Sequence, residues 1–291
     1  MSDNESLDPA EIHAQAAALA AHLQRSGVSF LPVANPASVE LLADQFAVPE
    51  PSSPDPPAVS PPKPPAPAAA SKPAMPKTRL ETVPAFSTTD GDYDGKALSA
   101  DDRKAQLQIL AEQVSQCTSC EILASCRTQT VFGEGSPQAR FLFFGEGPGA
   151  DEDRSGRPFV GKAGQLLTKM IVACTLDRAD CYITNTVKCR PPGNRNPEGD
   201  ELQNCKAFYQ QQLNLIRPEY IVCLGAIAAS ELLGTKLSVG RLRGKFHQYR
   251  GSKVLVTYHP AYLLRNPAAK KAAWEDLQRL MADAGIELPG K

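Results

Sequence analysis

The sequence predicts an α/β domain with three layers, α/β/α, around a central, mainly parallel four-stranded sheet. A largely disordered N-terminal arm precedes it. Three observations predict this. Four short apolar runs recur between residues 140 and 258, and helix-length amphipathic segments separate them. Several of these runs end in glycine or in unusual polar sequence. The composition changes sharply near residue 100.

That change divides a 291-residue chain of net charge −1 into two unlike parts. Residues 1–100 hold 16 of the 26 prolines, none of the eight cysteines, and 6 basic against 12 acidic residues. Residues 101–291 hold 25 basic against 20 acidic residues. The basic body is compatible with a polyanionic partner or with an ordinary solvated surface. Residues 1–48 read as a small helical or conditionally ordered segment. Asp8 and Glu11 form a capping-box pattern, Ile12, Ala16, Leu19 and Leu23 recur at helical spacing, and Gly27 stops the run. Residues 49–100 read as a Pro/Ala-rich linker. The 12 prolines from Pro49 to Pro76 remove donors and fix φ. The folded domain is expected at 101–291.

Within the domain, the expected strands are Arg140–Gly145, Cys181–Val187, Tyr220–Leu224 and Val254–Tyr258. The expected helices are Ala163–Cys174, Glu198–Ile216, Ala226–Leu233 and Ala268–Ala284. Parallel sheets bind ligands beyond the carboxyl ends of their strands. Three such ends carry polar sequence: Gly145–Asp153, Asn185–Arg195 and His259–Arg265. They are expected to converge on one pocket.

No apolar run reaches the length of a membrane span, and the acidic N-terminus lacks the basic, then apolar, order of a secretory signal. A cytoplasmic protein with reduced thiols is expected. Its cysteines then read as ligands, nucleophiles or core thiols before disulfides. Cys117 and Cys120 form CxxC, and Cys189 and Cys205 flank CRPPGNRNPEGDELQNC. Four thiolates in two pairs suit a structural zinc or an iron–sulfur cluster, and spacing does not choose between them. Cys126 is a rival for Cys120. Cys174, Cys181 and Cys223 fall in apolar patterns and read as packed thiols.

GEGPGADED follows the first strand but is no nucleotide loop, since GxGxxG and GK[ST] are both missing. In SGRPFVGKAG, Phe159 reads either as a staple onto the next helix or as a platform for a planar ligand. In VTYHPAYLLRNP, His259 follows a strand and precedes a stiff turn. Tyr262, Leu263 and Leu264 then put apolar side chains in a loop beside Arg265. They either cover the closing helix or form a wedge for a base stack, with Arg265 on a phosphate.

CTSC, GEGPGADED, GRPFVGKAG, ITNTVKCRPPGNRNP, CLG and YHPAYLLRNP occur in this order. Together they resemble the iron–sulfur, family 4 uracil-DNA glycosylases, over about residues 103–285. The resemblance implies that Cys117, Cys120, Cys189 and Cys205 hold a 4Fe–4S cluster. It implies that the backbone of Gly145, Glu146 and Gly147 borders uracil, that Phe159 stacks on the flipped base and that Asn185 reads its edge. His259 would stand beside O2. Better-known uracil glycosylases of other families carry an Asp where this chain has Gly147, so the residue that orients water is not given by that comparison. Glu146, Glu152 and Asn194 are the candidates, and each could instead cap a helix or bind backbone. Arg190, Arg195, Leu263, Leu264 and Arg265 are the expected DNA contacts.

The implied activity is monofunctional removal of uracil from single- or double-stranded DNA, the first step of base excision repair. Lys162 and Lys188 lie near the motifs, but neither is placed as a Schiff-base nucleophile. The alternative is a non-catalytic or covalently trapping uracil-DNA-binding iron–sulfur protein. A trapping relative uses a histidine in the loop after the Asn-bearing strand, and Cys189–Pro197 contains none. A wider range of deaminated bases is open. A monomer is expected, with the N-terminal arm as a docking segment for a repair or replication protein.

Overall fold

The computed structural model describes residues 85–87 and 91–288. The helical segment expected at 1–48, and the linker from 49 to 84, lie outside the described residues. Among the described residues, no helix is long and apolar enough to cross a membrane.

In chain order the helices are α1 (Ala100–Ser115), α2 (Glu121–Cys126), α3 (Ala150–Ser155), α4 (Lys162–Ala173), α5 (Gly199–Ile216), α6 (Ala226–Leu233), α7 (Val239–Leu242), α8 (Pro260–Arg265) and α9 (Lys270–Asp283). The strands are β1 (Glu134–Gly135), β2 (Phe141–Gly145), β3 (Tyr182–Asn185), β4 (Tyr220–Leu224), β5 (Phe246–Tyr249) and β6 (Ser252–Thr257). They form one sheet in the order β1-β3-β2-β4-β6-β5. The inner four are parallel, and the two edges pair antiparallel. The sheet therefore has six strands, not four. The expected four are its centre.

Side chains alternate across the sheet, as a two-residue repeat requires. Leu142, Phe144, Ile221, Cys223, Val254 and Val256 pack on one face with Leu107 of α1, Tyr209 and Leu213 of α5, and Ala228 and Leu232 of α6. Phe141, Phe143, Val222, Leu224 and Leu255 pack on the other with Leu167 and Ile171 of α4 and Leu277 and Leu280 of α9. Strands covered on both faces must be apolar throughout, which is why β2 and β4 are buried at every residue. Cys174, Cys181 and Cys223 are core thiols, and burial pushes Cys174 and Cys181 up to about 12.

Residues 85–87 and 91–99, which the sequence places in the linker, lie against the domain. The Phe86 amide donates to His247 Nδ1 (2.9 Å), and its carbonyl accepts from the Gln248 amide (2.8 Å). Ser87 bridges to Gln248, Tyr93 bonds Ser252, and Phe86 and Tyr93 pack on the core.

Candidate active site

The parallel register places Gly145 at the end of β2 directly opposite Asn185 at the end of β3. His259 stands two residues past the end of β6. Around these ends lies a cavity of about 390 Å³. Its wall includes Glu146, Gly147, Glu152, Phe159, Asn185, Asn194, Arg195, His259 and Arg265. All three expected strand ends thus meet in one pocket.

Asn185 is 1% exposed, and its Oδ1 is a buried acceptor with no hydrogen-bond partner among the described residues. Such a group costs on the order of 1–3 kcal/mol unless a ligand satisfies it. Its neighbours leave no room for adjustment. A Cβ on Gly145 would stand 2.3 Å from Asn185 Oδ1 and 2.6 Å from the Phe159 ring. Glycine at 145 is therefore the residue that lets amide and ring close over the strand end. At Gly147 a Cβ would stand 2.8 Å from Val187 Cγ2, so any side chain here must displace that valine.

Phe159 lies between α3 and α4. It is buried, and its φ of +52° is unusual for a bulky residue. Its ring centroid is 5.6 Å from that of His259, with the planes tilted by 35°. Glu152 fixes the loop rather than facing a reactant. One carboxylate oxygen accepts from the amides of Val160 (2.8 Å) and Gly161 (2.9 Å), and the other from Gly149 (3.1 Å). This is a scaffold arrangement.

His259 caps α8: its Nδ1 accepts from the Ala261 amide at 3.1 Å. A neutral imidazole with Nδ1 accepting carries its proton on Nε2. Burial, and then the nearby Arg265 charge, push this histidine down to about 4, against an opposing pull from Glu152. It is neutral at pH 7. Glu146 makes no side-chain hydrogen bond among the described residues, and burial raises its pKa. Its backbone carbonyl accepts from Val187 N (3.2 Å) and from the Thr186 hydroxyl.

Other expected residues are placed differently. Asn194 lines the cavity, but its side-chain oxygen accepts from Arg190 Nε at 2.7 Å. Arg195 makes a two-pronged pair with Glu201 (2.6 and 2.8 Å) and a further contact with Glu198. It is committed to the start of α5. Tyr262, Leu263 and Leu264 lie on α8, not in a loop, because Pro260 occupies a first helical turn behind the His259 cap. Leu263 is 1% exposed, so it is core and no wedge. Leu264 and Tyr262 are exposed, and Tyr262 stacks on Tyr258 at 5.1 Å. Lys188 is buried and points away from the cavity, its Nζ bonded to Thr184 Oγ1, the Asn185 carbonyl and Gln212 Oε1. Pro191 and Pro197 also line the cavity, and the sequence does not single them out, since nothing about their type marks them.

The four expected cysteines lie near one another. Cys120 caps α2, Cys189 follows the Lys188 turn, and Cys205 sits on α5. Burial raises the pKa of Cys189 and pushes Cys205 up to about 11, and Cys117 and Cys120 lie close enough to Cys189, and Cys189 and Cys120 to Cys205, to add to the rise. Three sulfurs receive donors: Arg127 Nη1 on Cys189 (3.0 Å), the Lys188 amide on Cys205 (3.4 Å) and Asn204 Nδ2 on Cys120 (3.5 Å). Among the described residues, no three His, Cys, Asp or Glu side chains meet the geometry of a single-ion site. Cys126 is exposed on α2.

The comparisons with known proteins agree with one another. The family model of the uracil DNA glycosylase superfamily matches residues 132–278. The chain is 43% identical over 181 residues to a type-4 uracil-DNA glycosylase of Thermotoga maritima, covering 61% of this chain and 94% of that protein. A type-4 enzyme of Saccharolobus solfataricus is 44% identical over 183 residues, covering 60% and 84% of the two chains. One of Archaeoglobus fulgidus is 37% identical over 191 residues, covering 63% and 96%. A family match over half the chain, joined to relatives matched over most of their length, places this chain in the uracil DNA glycosylase superfamily, among the type-4 uracil-DNA glycosylases.

Proposed function

We propose that the protein flips uracil out of DNA and hydrolyses its N-glycosidic bond, leaving an abasic site. The observation that carries this reading is the unpartnered Asn185 Oδ1, buried between Phe159 and the end of β2. Uracil offers an N3–H donor and an O4 acceptor on one edge. A fixed amide plane accepts from the first with Oδ1 and donates to the second with Nδ2. Cytosine mispairs both groups, at a cost on the order of 1–3 kcal/mol for each.

Phe159 stacks on the extruded base and offsets part of the stacking lost in the helix. The bond breaks with positive charge on the sugar and negative charge on uracil. His259 Nε2–H donates to O2 and stabilises the leaving anion, as an oxyanion hole does. A neutral donor is right for this role, because it need not exchange its proton during the step. Among the described residues Glu146 has the one pocket carboxylate with no partner, so it is assigned to the attacking water or the sugar cation. Glu152 and Asn194 support the pocket instead. Arg265, Leu264 and Arg190 remain for the DNA strand. Among the described residues the cavity wall carries no lysine amine to form a Schiff base, and the reading is therefore monofunctional excision that leaves an abasic strand.

Cys117, Cys120, Cys189 and Cys205 would hold a 4Fe–4S cluster. The donor set fits: four thiols come from the CxxC before α2, the loop after β3 and α5, and three of the sulfurs accept from N–H groups, as the sulfurs of such clusters do. The cluster's contribution, when bound, is to cross-link α2, the loop after β3, and α5. That fixes the loop which forms one wall of the cavity.

The test is incubation of anaerobically purified protein with single-stranded and U·G duplex oligonucleotides, followed by alkali. Cleavage confined to uracil DNA, and lost in Asn185→Ala and His259→Ala, supports the reading. No cleavage by cluster-loaded protein would defeat it, and a denaturing gel would then show whether a covalent DNA adduct had formed.

A further inference from the structure

The strained backbone of Phe159 is held from both sides. On the following side stands Glu152, bonded to the Val160 and Gly161 amides. On the preceding side stands Arg178, from the loop between α4 and β3. Its Nη2 donates to the Pro158 carbonyl at 2.7 Å, and its Nη1 donates to Thr168 Oγ1 of α4 at 3.0 Å. Glu134 on β1 orients that guanidinium, accepting from Nη2 at 2.8 Å and Nε at 3.2 Å. Below the loop, Gly164 leaves room for the Phe159 backbone, since a Cβ there would lie 1.9 Å from its carbonyl. Arg178 is outside the cavity wall and only 18% exposed. It touches no reactant, yet one of its bonds holds the Pro158 carbonyl, next to the residue that carries the aromatic ring, and the other three tie it to Thr168 and Glu134.

A left-handed conformation at a bulky residue persists only where its surroundings over-determine it. Removing one clamp lets the loop relax toward an ordinary φ, and the ring then leaves the plane where a base would stack. We propose that Arg178, oriented by Glu134, is a positioning residue that holds Phe159 in its stacking pose. This rests on the assignment of Phe159 as the base platform.

A double-mutant cycle tests it. Arg178→Met should lower kcat/KM for uracil DNA on the order of tenfold to a hundredfold, the usual worth of a charge-assisted hydrogen bond. In a Phe159→Ala background the same change should cost less than about threefold, because the ring it positions is gone. Arg178→Lys, which keeps a donor, should recover part of the loss. Glu134→Gln should give a smaller loss that also vanishes in the Phe159→Ala background, and it carries the test if Arg178→Met does not fold. Equal losses in both backgrounds, tracking a fall in melting temperature, would overturn the positioning role and leave Arg178 merely structural. If Phe159→Ala itself kept full activity, the platform assignment would fall, and the positioning role with it.

Discussion

Replacing His259 by alanine removes the donor assigned to uracil O2, and the structure sets the size of the effect. One such donor is worth about 2.7–4 kcal/mol, or roughly a hundredfold to a thousandfold in the chemical step. The same change removes the cap on the Ala261 amide, which costs about 1 kcal/mol of stability and a few degrees of melting temperature. Single-turnover rates and thermal melts measured together separate these two effects. The pH dependence is the sharper test. With a pKa pushed down to about 4, only about one molecule in a thousand carries the imidazolium at pH 7. The rate contribution of His259 should therefore be flat from pH 8 to about 5.5, and fall as the pH approaches 4. Stability should move the same way. Between 6.5 and 4 the unfolded chain binds more protons at this residue than the folded one, so this contribution is lost as pH drops through that window. A His259-dependent rate that climbs as pH falls from 7.5 to 6 would refute the neutral donor and make the imidazolium the active form.

Three further outcomes follow from the geometry. Asn185→Asp replaces a donor and an acceptor by two acceptors, so uracil excision should fall at least about a hundredfold, read by single-turnover cleavage. Gly145→Ala drives a Cβ to within 2.3 Å of Asn185 Oδ1, and should abolish most activity while circular dichroism stays native. Glu152→Ala strips the acceptor from three loop amides and should cost about 2–4 kcal/mol by denaturant titration, with Glu152→Gln recovering part of it; a melt unchanged in the alanine variant would remove its scaffold role.

The inner sheet was legible because its strands are buried on both faces over most of their length, which leaves a short apolar run in each. Asn185 and His259 were legible because they break such runs at their carboxyl ends. The two edge strands were not. Glu134–Gly135 is too short for any periodicity, and Phe246–Tyr249 is half-exposed with basic flanks. Pro260 read as a turn, although a proline behind a capping residue begins a helix as readily, and this misplaced Leu263. The partners of Arg178 could not be read, because only the folded sheet brings Glu134 and Pro158 to it. Those of Glu152 and Arg195 lie within nine residues, but which amide or carboxylate is met depends on the path of the loop backbone. Phe86 and Tyr93 were the overlooked signal for the docked segment, as aromatic residues in an otherwise proline- and alanine-rich stretch have apolar surface to bury.

That docked segment has a consequence for how the domain behaves in isolation. β5 is an outer strand, and without Phe86 and Ser87 its amides would face solvent as a template for another copy. A chain shortened to begin at residue 100 would keep every residue of the cavity and still lose this cover. It should remain competent on uracil DNA when dilute, yet self-associate through the uncovered strand as concentration rises.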